Sequence, residues 1–178
     1  RNGTGELEET LPPAYAIINS KQAEDTYPDN MLCGAGMAWK LVQALLKRRG
    51  KEWGVPDGWE KWLLDMAGLS TIADMVPLVN ENRCLAHYGL KVLRKSPRPG
   101  LIKLLRKMRV EQRSITEDDI AFMVAPRINA ASRMDIPMEA FRLLSTTDES
   151  LADELSDHLH ALNDSRKEMV ALMAAEIK

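Results

Sequence analysis

A single carboxylate lies inside an otherwise apolar stretch of the chain. Asp74 is flanked by Leu, Ile, Ala, Met and Val within residues 69–78. Burying an ionised aspartate is costly unless it is hydrogen-bonded, paired or bound to a metal. Asp74 is therefore a candidate metal ligand. The competing interpretation is that it caps a short helical turn.

Two arginines and an amide are brought together around small residues at residues 125–134. The guanidinium groups of Arg127 and Arg133 match phosphate oxygens, and small side chains let a phosphate backbone come close. We predict that Arg127, Asn129, Ser132 and Arg133 contact phosphate or DNA. The alternative is a pair of structural arginines that bond carbonyl oxygens or a nearby carboxylate.

Between residues 83 and 113 the chain carries ten Lys or Arg against one acid. Arg106, Lys107 and Arg109 are candidates for a basic face that guides DNA electrostatically. In soluble proteins such a run is usually just a solvated face. Tyr88 is the only aromatic residue of the stretch, so the sequence does not support base stacking there.

The histidines and cysteines do not follow a metal-ligand pattern. His158 and His160 are two residues apart on a predicted helix and point to different sides, so we interpret them as solvated or partner-facing. His87 is interpreted as structural. Cys33 and Cys84 lie far apart, which argues against a zinc site and a disulfide and favours a reducing cytoplasm.

The composition indicates a soluble, helix-rich globular chain. Its 178 residues are 45% hydrophobic and 28% charged, which fits one domain or a large part of a bigger one and excludes a disordered chain. No stretch approaches the roughly 20 apolar residues of a membrane span, and the polar start does not resemble a signal peptide. We therefore expect no membrane partner.

Apolar periodicity predicts one buried strand at residues 14–19 and a series of helices. The helices are predicted at residues 35–49, from Asp57 to near Gly68, from Asn80 to about residue 95, at residues 101–108, from Thr116 until Pro126 stops it, and from Thr146 onward. Capping-box patterns begin at positions 57, 116 and 146. The last helix would span about 45 Å at ~1.5 Å per residue, so its far half should project or meet another domain.

Five segments resemble consecutive parts of RecJ-type members of the DHH phosphoesterase family. They read LPPAYAIINSKQ, LCGAGMAWKLVQALL, STIADMVPL, NENRCLAHYGLKVL and APRINAASRM. The resemblance covers residues 11–166 in the correct order, which is more specific than any single motif. It implies a 5′ to 3′ exonuclease that acts on single-stranded DNA in repair and recombination.

The resemblance also implies a site with two divalent ions, manganese or magnesium. Asp74 would match a carboxylate of the family's metal-binding motifs and would therefore be catalytic. Arg127 and Arg133 would lie near the nucleic-acid phosphate, and Asn129 would shape the loop. Paired ions activate the attacking water and neutralise charge on the phosphoryl oxygens. Ser70 and Ser132 replace glycines that the family usually carries.

The family fold is α/β, whereas the chain itself is expected to be mostly α-helical with one or few strands. We interpret residues 6–145 as the C-terminal part of a DHH domain, residues 146–178 as a connector helix toward an absent second domain, and residues 1–5 as a foreign remnant. The Asp-His-His motif and the acidic motifs before it are absent. We therefore expect that the chain alone neither retains the ions nor hydrolyses DNA.

Two other functions remain open. One is a DHH phosphodiesterase that cuts short oligonucleotides or cyclic dinucleotides. The other is a non-enzymatic helical module that binds nucleic acid through residues 83–113. The sequence names no protein partner.

Overall fold

The computed structural model describes residues 12–176, and every regular element there is helical. The α-helices are α1 (Gly34–Arg49), α2 (Leu64–Ala73), α3 (Asn80–Leu93), α4 (Pro99–Lys107), α5 (Ala125–Arg133), α6 (Pro137–Ser145) and α7 (Glu149–Glu176). Two 3-10 turns cover Trp59–Leu63 and Gln112–Ser114, and a π-helix covers Asp119–Val124. None of these helices is long and apolar enough to cross a membrane. The remnant predicted at residues 1–5 lies outside the described residues.

The mostly helical fold is confirmed, but the strand predicted at residues 14–19 is wrong. Between residues 12 and 176 there is no strand, and this segment is irregular. Tyr15 is fully exposed and Ile18 exposes 55% of its surface, so the apolar run is not buried. A strand needs a neighbour for its backbone hydrogen bonds, and the described part of the chain offers no second strand.

Helices α2 and α3 cross at two glycines. A Cβ on Gly68 would lie 2.6 Å from the Cα of Gly89, and a Cβ on Gly89 would lie 2.5 Å from the Cα of Gly68. The prediction that the helix ends near Gly68 is wrong, because this glycine is buried inside α2 and lets α3 approach. The capping box predicted at Asp57 and Glu60 is also wrong, since Gly58, with a φ of 80°, begins the turn before α2 without a side-chain cap.

Gly68→Ala is expected to lower the free energy of unfolding by about 1–3 kcal/mol, because the added methyl group meets backbone atoms that cannot rotate away. Urea unfolding followed by circular dichroism measures this loss. Gly34→Ala is the matched control, since nothing lies within 4 Å of a Cβ at that position. Equal midpoints for the two variants would contradict the close crossing.

The helix stop predicted at Pro126 is wrong, because the π-helix and α5 join without a break. Inside an α-helix a proline ring clashes with the carbonyl group four residues earlier and lacks an N–H donor. The wider turn of the π-helix just before Pro126 accommodates the ring. The cap predicted at Thr116, where this helical segment begins, is confirmed. The backbone N–H and the Oγ1 of Thr116 donate to Asp119 Oδ2 at 2.9 and 2.8 Å.

The main core lies between α4, α6 and α7 and the elements around them. Leu101 and Leu104 of α4 are fully buried with Leu143 of α6 and Leu159 of α7. Helix α7 is the long last helix that the sequence predicts, and residues 167–176 are exposed on all sides. Its far half therefore projects from the core, as expected.

Candidate functional site

Asp74 follows the last residue of α2. Its backbone N–H donates to the carbonyl oxygen of Ser70 at 2.8 Å, and its Oδ2 accepts from Ser70 Oγ at 3.3 Å. The apolar residues around Asp74 do not bury it, and the side chain is exposed. Met75 has a φ of 53°, so the chain turns sharply directly after the carboxylate.

Asp74 lines an open cleft of about 590 Å³. The other walls come from residues 18–21 and from the start of α1. Cys33 caps this helix, because its Sγ accepts from the backbone N–H of Gly36 at 3.4 Å. The first amides of a helix carry partial positive charge and favour anions. The cleft therefore combines an exposed carboxylate with a helix start that favours an anion.

The described residues do not complete a metal centre. From residue 12 to residue 176 no group of three or more His, Cys, Asp or Glu could hold an ion. Divalent ions such as Mg²⁺ and Mn²⁺ take several oxygen or nitrogen ligands each. Asp74 supplies one carboxylate, so these residues fit a single ligand position and do not fit a two-ion centre by themselves.

The segment at residues 125–134 is mostly helix α5 and not a loop after a helix stop. Asn129, Ser132 and Arg133 are exposed, and their spacing of three and four residues places them on one face. Arg127 belongs to the opposite, buried face. The structure therefore groups three of the four predicted phosphate-binding residues and separates the fourth from them.

Arg127 joins α5 to α7. It is 7% exposed, its Nη1 donates to the carbonyl oxygen of Met123 at 2.8 Å, and its Nε donates to His160 Nδ1 at 2.9 Å. His160 Nε2 in turn lies 3.6 Å from Asp164 Oδ2. Burial lowers the pKa of Arg127, and the negative charge of Asp164 opposes that effect. Two of the guanidinium nitrogens are thus occupied within the protein, one by the preceding helical turn and one by α7.

The two histidines of α7 do point to different sides, as predicted. His158 Nδ1 lies 2.6 Å from Glu139 Oε2 of α6. The expectation that His160 is solvated or partner-facing is wrong, because it is partly buried against Arg127. Sequence reasoning had no signal for this contact, which joins positions 33 residues apart.

Asp74 and the arginines of α5 are not brought into contact. Neither Arg127 nor Arg133 lines the cleft of Asp74. Among residues 12–176, no hydrogen bond or ion pair joins Asp74 to either guanidinium group. Among the described residues, the carboxylate and the phosphate-binding candidates therefore have no direct contact.

The basic stretch does not form one continuous face. Four of its cations hold other elements in place: Arg94 (to the carbonyl oxygen of Ile115), Arg98 (to Asp65), Lys103 (to Glu149) and Lys107 (to Asp157). The hydrogen bond to Asp157 raises the pKa of Lys107. Of the predicted guiding residues, Arg106 and Arg109 are exposed and have no carboxylate partner in the described part of the chain, whereas Lys107 is tied to α7.

A hydrogen-bonded network attaches the loop before α1 to α1 and α3. Glu81 accepts from the hydroxyl group of Tyr27 and pairs with Lys40. Burial acts to raise the pKa of Glu81, but the bonds from Lys40 and Tyr27 outweigh it and hold that pKa below 4.5. Burial and the bond to Glu81 raise the pKa of Tyr27 above 10.0. Burial acts to lower the pKa of Lys40, but the bond to Glu81 outweighs it and raises the pKa above 10.5.

The stability that this network contributes is expected to depend on pH at both ends. The stabilisation by Glu81 is complete above pH 4.5 and is lost as the pH falls through the lowered pKa of this carboxyl group. The stabilisation by Tyr27 and Lys40 is complete below pH 10.0 and is lost as the pH rises through the raised pKa values of these two groups. Glu81→Gln should lower the melting temperature by about 2–4 °C at neutral pH, and the difference from wild type should shrink in acid.

Glu52→Gln is the control for this prediction, because Glu52 pairs with Arg49 at an exposed position. Its melting temperature should stay within about 1 °C of wild type, since surface ion pairs contribute little. A Glu81→Gln difference that is the same at neutral pH and at about pH 3, roughly one unit below the ordinary glutamate pKa of about 4.3, would contradict the assignment.

The chain is similar in sequence to single-stranded-DNA-specific exonucleases. No protein-family model matches it. It is 39% identical over 93% of its length to the single-stranded-DNA-specific exonuclease RecJ of Bacillus subtilis, and 35% identical over 94% to that of Escherichia coli. It covers 20% and 30% of these two relatives. The chain therefore spans about a fifth to a third of the relatives that it matches.

Solved structures agree with the sequences. A RecJ structure with Mn²⁺ from Thermus thermophilus matches 97% of the chain with a TM-score of 0.77 and 32% identity, and 25% of that protein is covered. A second RecJ structure, bound to manganese, matches 95% with a TM-score of 0.78 and 32% identity, and 41% of it is covered. The chain is thus similar to one segment of single-strand-specific DNA exonucleases. These relatives are RecJ proteins, so the predicted RecJ-type resemblance is confirmed.

Proposed function

We propose that the whole protein is a metal-dependent exonuclease that hydrolyses phosphodiester bonds of single-stranded DNA from 5′ to 3′, in DNA repair and recombination. The observation that carries this proposal is the match to RecJ over almost the entire chain, in sequence and in fold. The metal would be manganese or magnesium, since RecJ structures similar to this chain contain Mn²⁺ or Mg²⁺. A cytoplasmic location is consistent with the free thiols of Cys33 and Cys84.

Within this function, Asp74 would supply one oxygen ligand to an ion whose other ligands lie outside the described residues. The start of α1, across the cleft, would favour the phosphate group. Asn129, Ser132 and Arg133 would contact the DNA backbone from the exposed face of α5. Arg127 would support that face from behind through its bonds to Met123 and His160.

Arg106 and Arg109 would attract the strand electrostatically. Lys107 would contribute less to this attraction, because it is paired with Asp157. With one metal ligand, the 178-residue chain by itself is expected to show no robust hydrolysis.

The test is hydrolysis by the whole protein, with Mn²⁺ or Mg²⁺, of a long single strand, its duplex and a dinucleotide. We expect the single strand to be degraded from its 5′ end and the duplex and dinucleotide to remain. Turnover of the dinucleotide alone would favour a DHH phosphodiesterase of short substrates. Binding of the single strand without turnover would favour the non-enzymatic module.

A further inference from the structure

A groove of about 370 Å³ lies between the turn that precedes α2 and the outer face of α3. Trp62 and Tyr88 line this groove and expose 55% and 52% of their surfaces. Large aromatic side chains with half of their area in water are available for stacking. The sequence places them 26 positions apart, so only the fold shows that they share one surface.

Three cations surround a groove whose lining is otherwise mostly apolar. Lys61, Lys91 and Lys95 line it together with the two aromatic residues, and no carboxylate does. In the described part of the chain, none of these lysines lies within ion-pair distance of an acid. Lys103 and Lys107, in contrast, are neutralised by acids of α7. The charge of the groove is therefore free to meet an anionic partner.

The fold also fixes the aromatic and basic groups of the groove relative to one another. Lys91 Nζ lies 5.2 Å from the centroid of the Tyr88 ring, within the range of a cation–π contact. Lys91 lies in the last turn of α3, and Lys95 lies in the turn that follows the end of this helix. The turn that carries Trp62 runs directly into α2, and α2 packs closely against α3 at Gly68 and Gly89. Preorganised groups lose less entropy when a ligand binds.

We infer that this groove is a second subsite for single-stranded DNA, where bases stack on Trp62 and Tyr88 and phosphates contact the three lysines. This inference rests on the proposed function and adds a binding site away from the cleft. Stacking on exposed rings beside unpaired cations is how proteins bind single strands without sequence preference. A peptide could use the apolar walls, but repeated phosphates match three separate cations better.

The subsite and the cleft lie at opposite ends of α2. Leu64 lines the groove, and Asp74 follows the last residue of the helix. Ten residues of α-helix span about 15 Å, and nucleotides in a stacked strand are about 3.4 Å apart. A strand held at both places must therefore bridge about four or five nucleotides.

The test is binding of a labelled oligothymidylate of about 20 nucleotides to the whole protein, followed by fluorescence anisotropy in EDTA so that no hydrolysis occurs. Trp62→Ala and Tyr88→Ala should each raise Kd about tenfold, the usual scale of one lost stacking contact. Lys91→Ala combined with Lys95→Ala should reduce the slope of log K against log salt by about 1.4.

Trp53→Ala is the matched control, because Trp53 is also 55% exposed but does not line the groove. The Kd of the Trp53→Ala variant for the labelled strand should stay within about twofold of wild type. The inference is overturned if Trp62→Ala and Tyr88→Ala bind the strand as Trp53→Ala does, or if they lose binding only of an acidic peptide. Because hydrolysis is absent from the assay, failure of the exonuclease proposal would leave this result unaffected.

Discussion

Asp65→Ala is expected to reduce the free energy of unfolding by about 3–5 kcal/mol, the cost of removing one partner of a buried ion pair. Asp65 is 2% exposed and accepts from Ser96 Oγ at 2.8 Å and from Arg98 Nε at 2.7 Å. Arg98 also donates to the carbonyl oxygen of Leu144 at 3.3 Å, so the network joins α2, the turn before α4 and the end of α6. Alanine would leave the guanidinium group partly buried without its counter-charge.

Urea unfolding of the chain measures this effect. Asp118→Ala serves as the control, because Asp118 is exposed, and its free energy of unfolding should stay within about 0.5 kcal/mol of wild type. Arg98→Ala should also be strongly destabilising, since it leaves Asp65 charged and buried. A loss below about 1 kcal/mol for both Asp65→Ala and Arg98→Ala, as for an exposed pair, would contradict the structural role of this network.

Asp74→Asn is expected to reduce hydrolysis of single-stranded DNA by the whole protein about 100-fold or more. An amide cannot replace the charge of a metal-binding carboxylate, and even partners outside the ligand shell cost about 10–100-fold when removed. The fold should be unaffected, because the Asp74 side chain is exposed and bonds only to the hydroxyl group of Ser70 among the described residues.

Asp57→Asn is the matched control, since Asp57 is an exposed aspartate near the other end of α2. It should retain full activity. Both variants should bind a single strand normally in EDTA, where no divalent ion takes part. Full hydrolysis by Asp74→Asn would show that this carboxylate has no part in the chemistry.

The helices were predictable where local signals agree. Apolar spacing and a basic last turn mark α1, and the Thr116 and Asp119 cap is visible in the sequence because both partners lie in one turn. The predictions were wrong where contacts between elements, and not local sequence, determine where a helix ends. Glycine often follows the end of a helix, yet Gly68 lies inside α2 at the point where α3 packs against it. Pro126 is tolerated because a π-helix precedes it.

The site was predictable in part. Asp74 became a candidate because of its apolar neighbours, but these neighbours do not bury it. The helix stop predicted at Pro126 hid the fact that Asn129, Ser132 and Arg133 share one helical face. The contact of Arg127 with His160 and those of Asp65 with Ser96 and Arg98 were not predictable, because they join residues 31 to 33 positions apart. The same holds for Trp62, which the fold places beside Tyr88 and which supplies the aromatic surface that the basic stretch lacks in sequence.

The most direct test of the role of Asp74 is calorimetric titration of the whole protein with Mn²⁺, without DNA. Wild type and Asp57→Asn should bind the ion alike, and Asp74→Asn should bind it at least about tenfold more weakly or with one ion fewer. Identical isotherms for wild type and Asp74→Asn would contradict the account, because this carboxylate would then hold no ion.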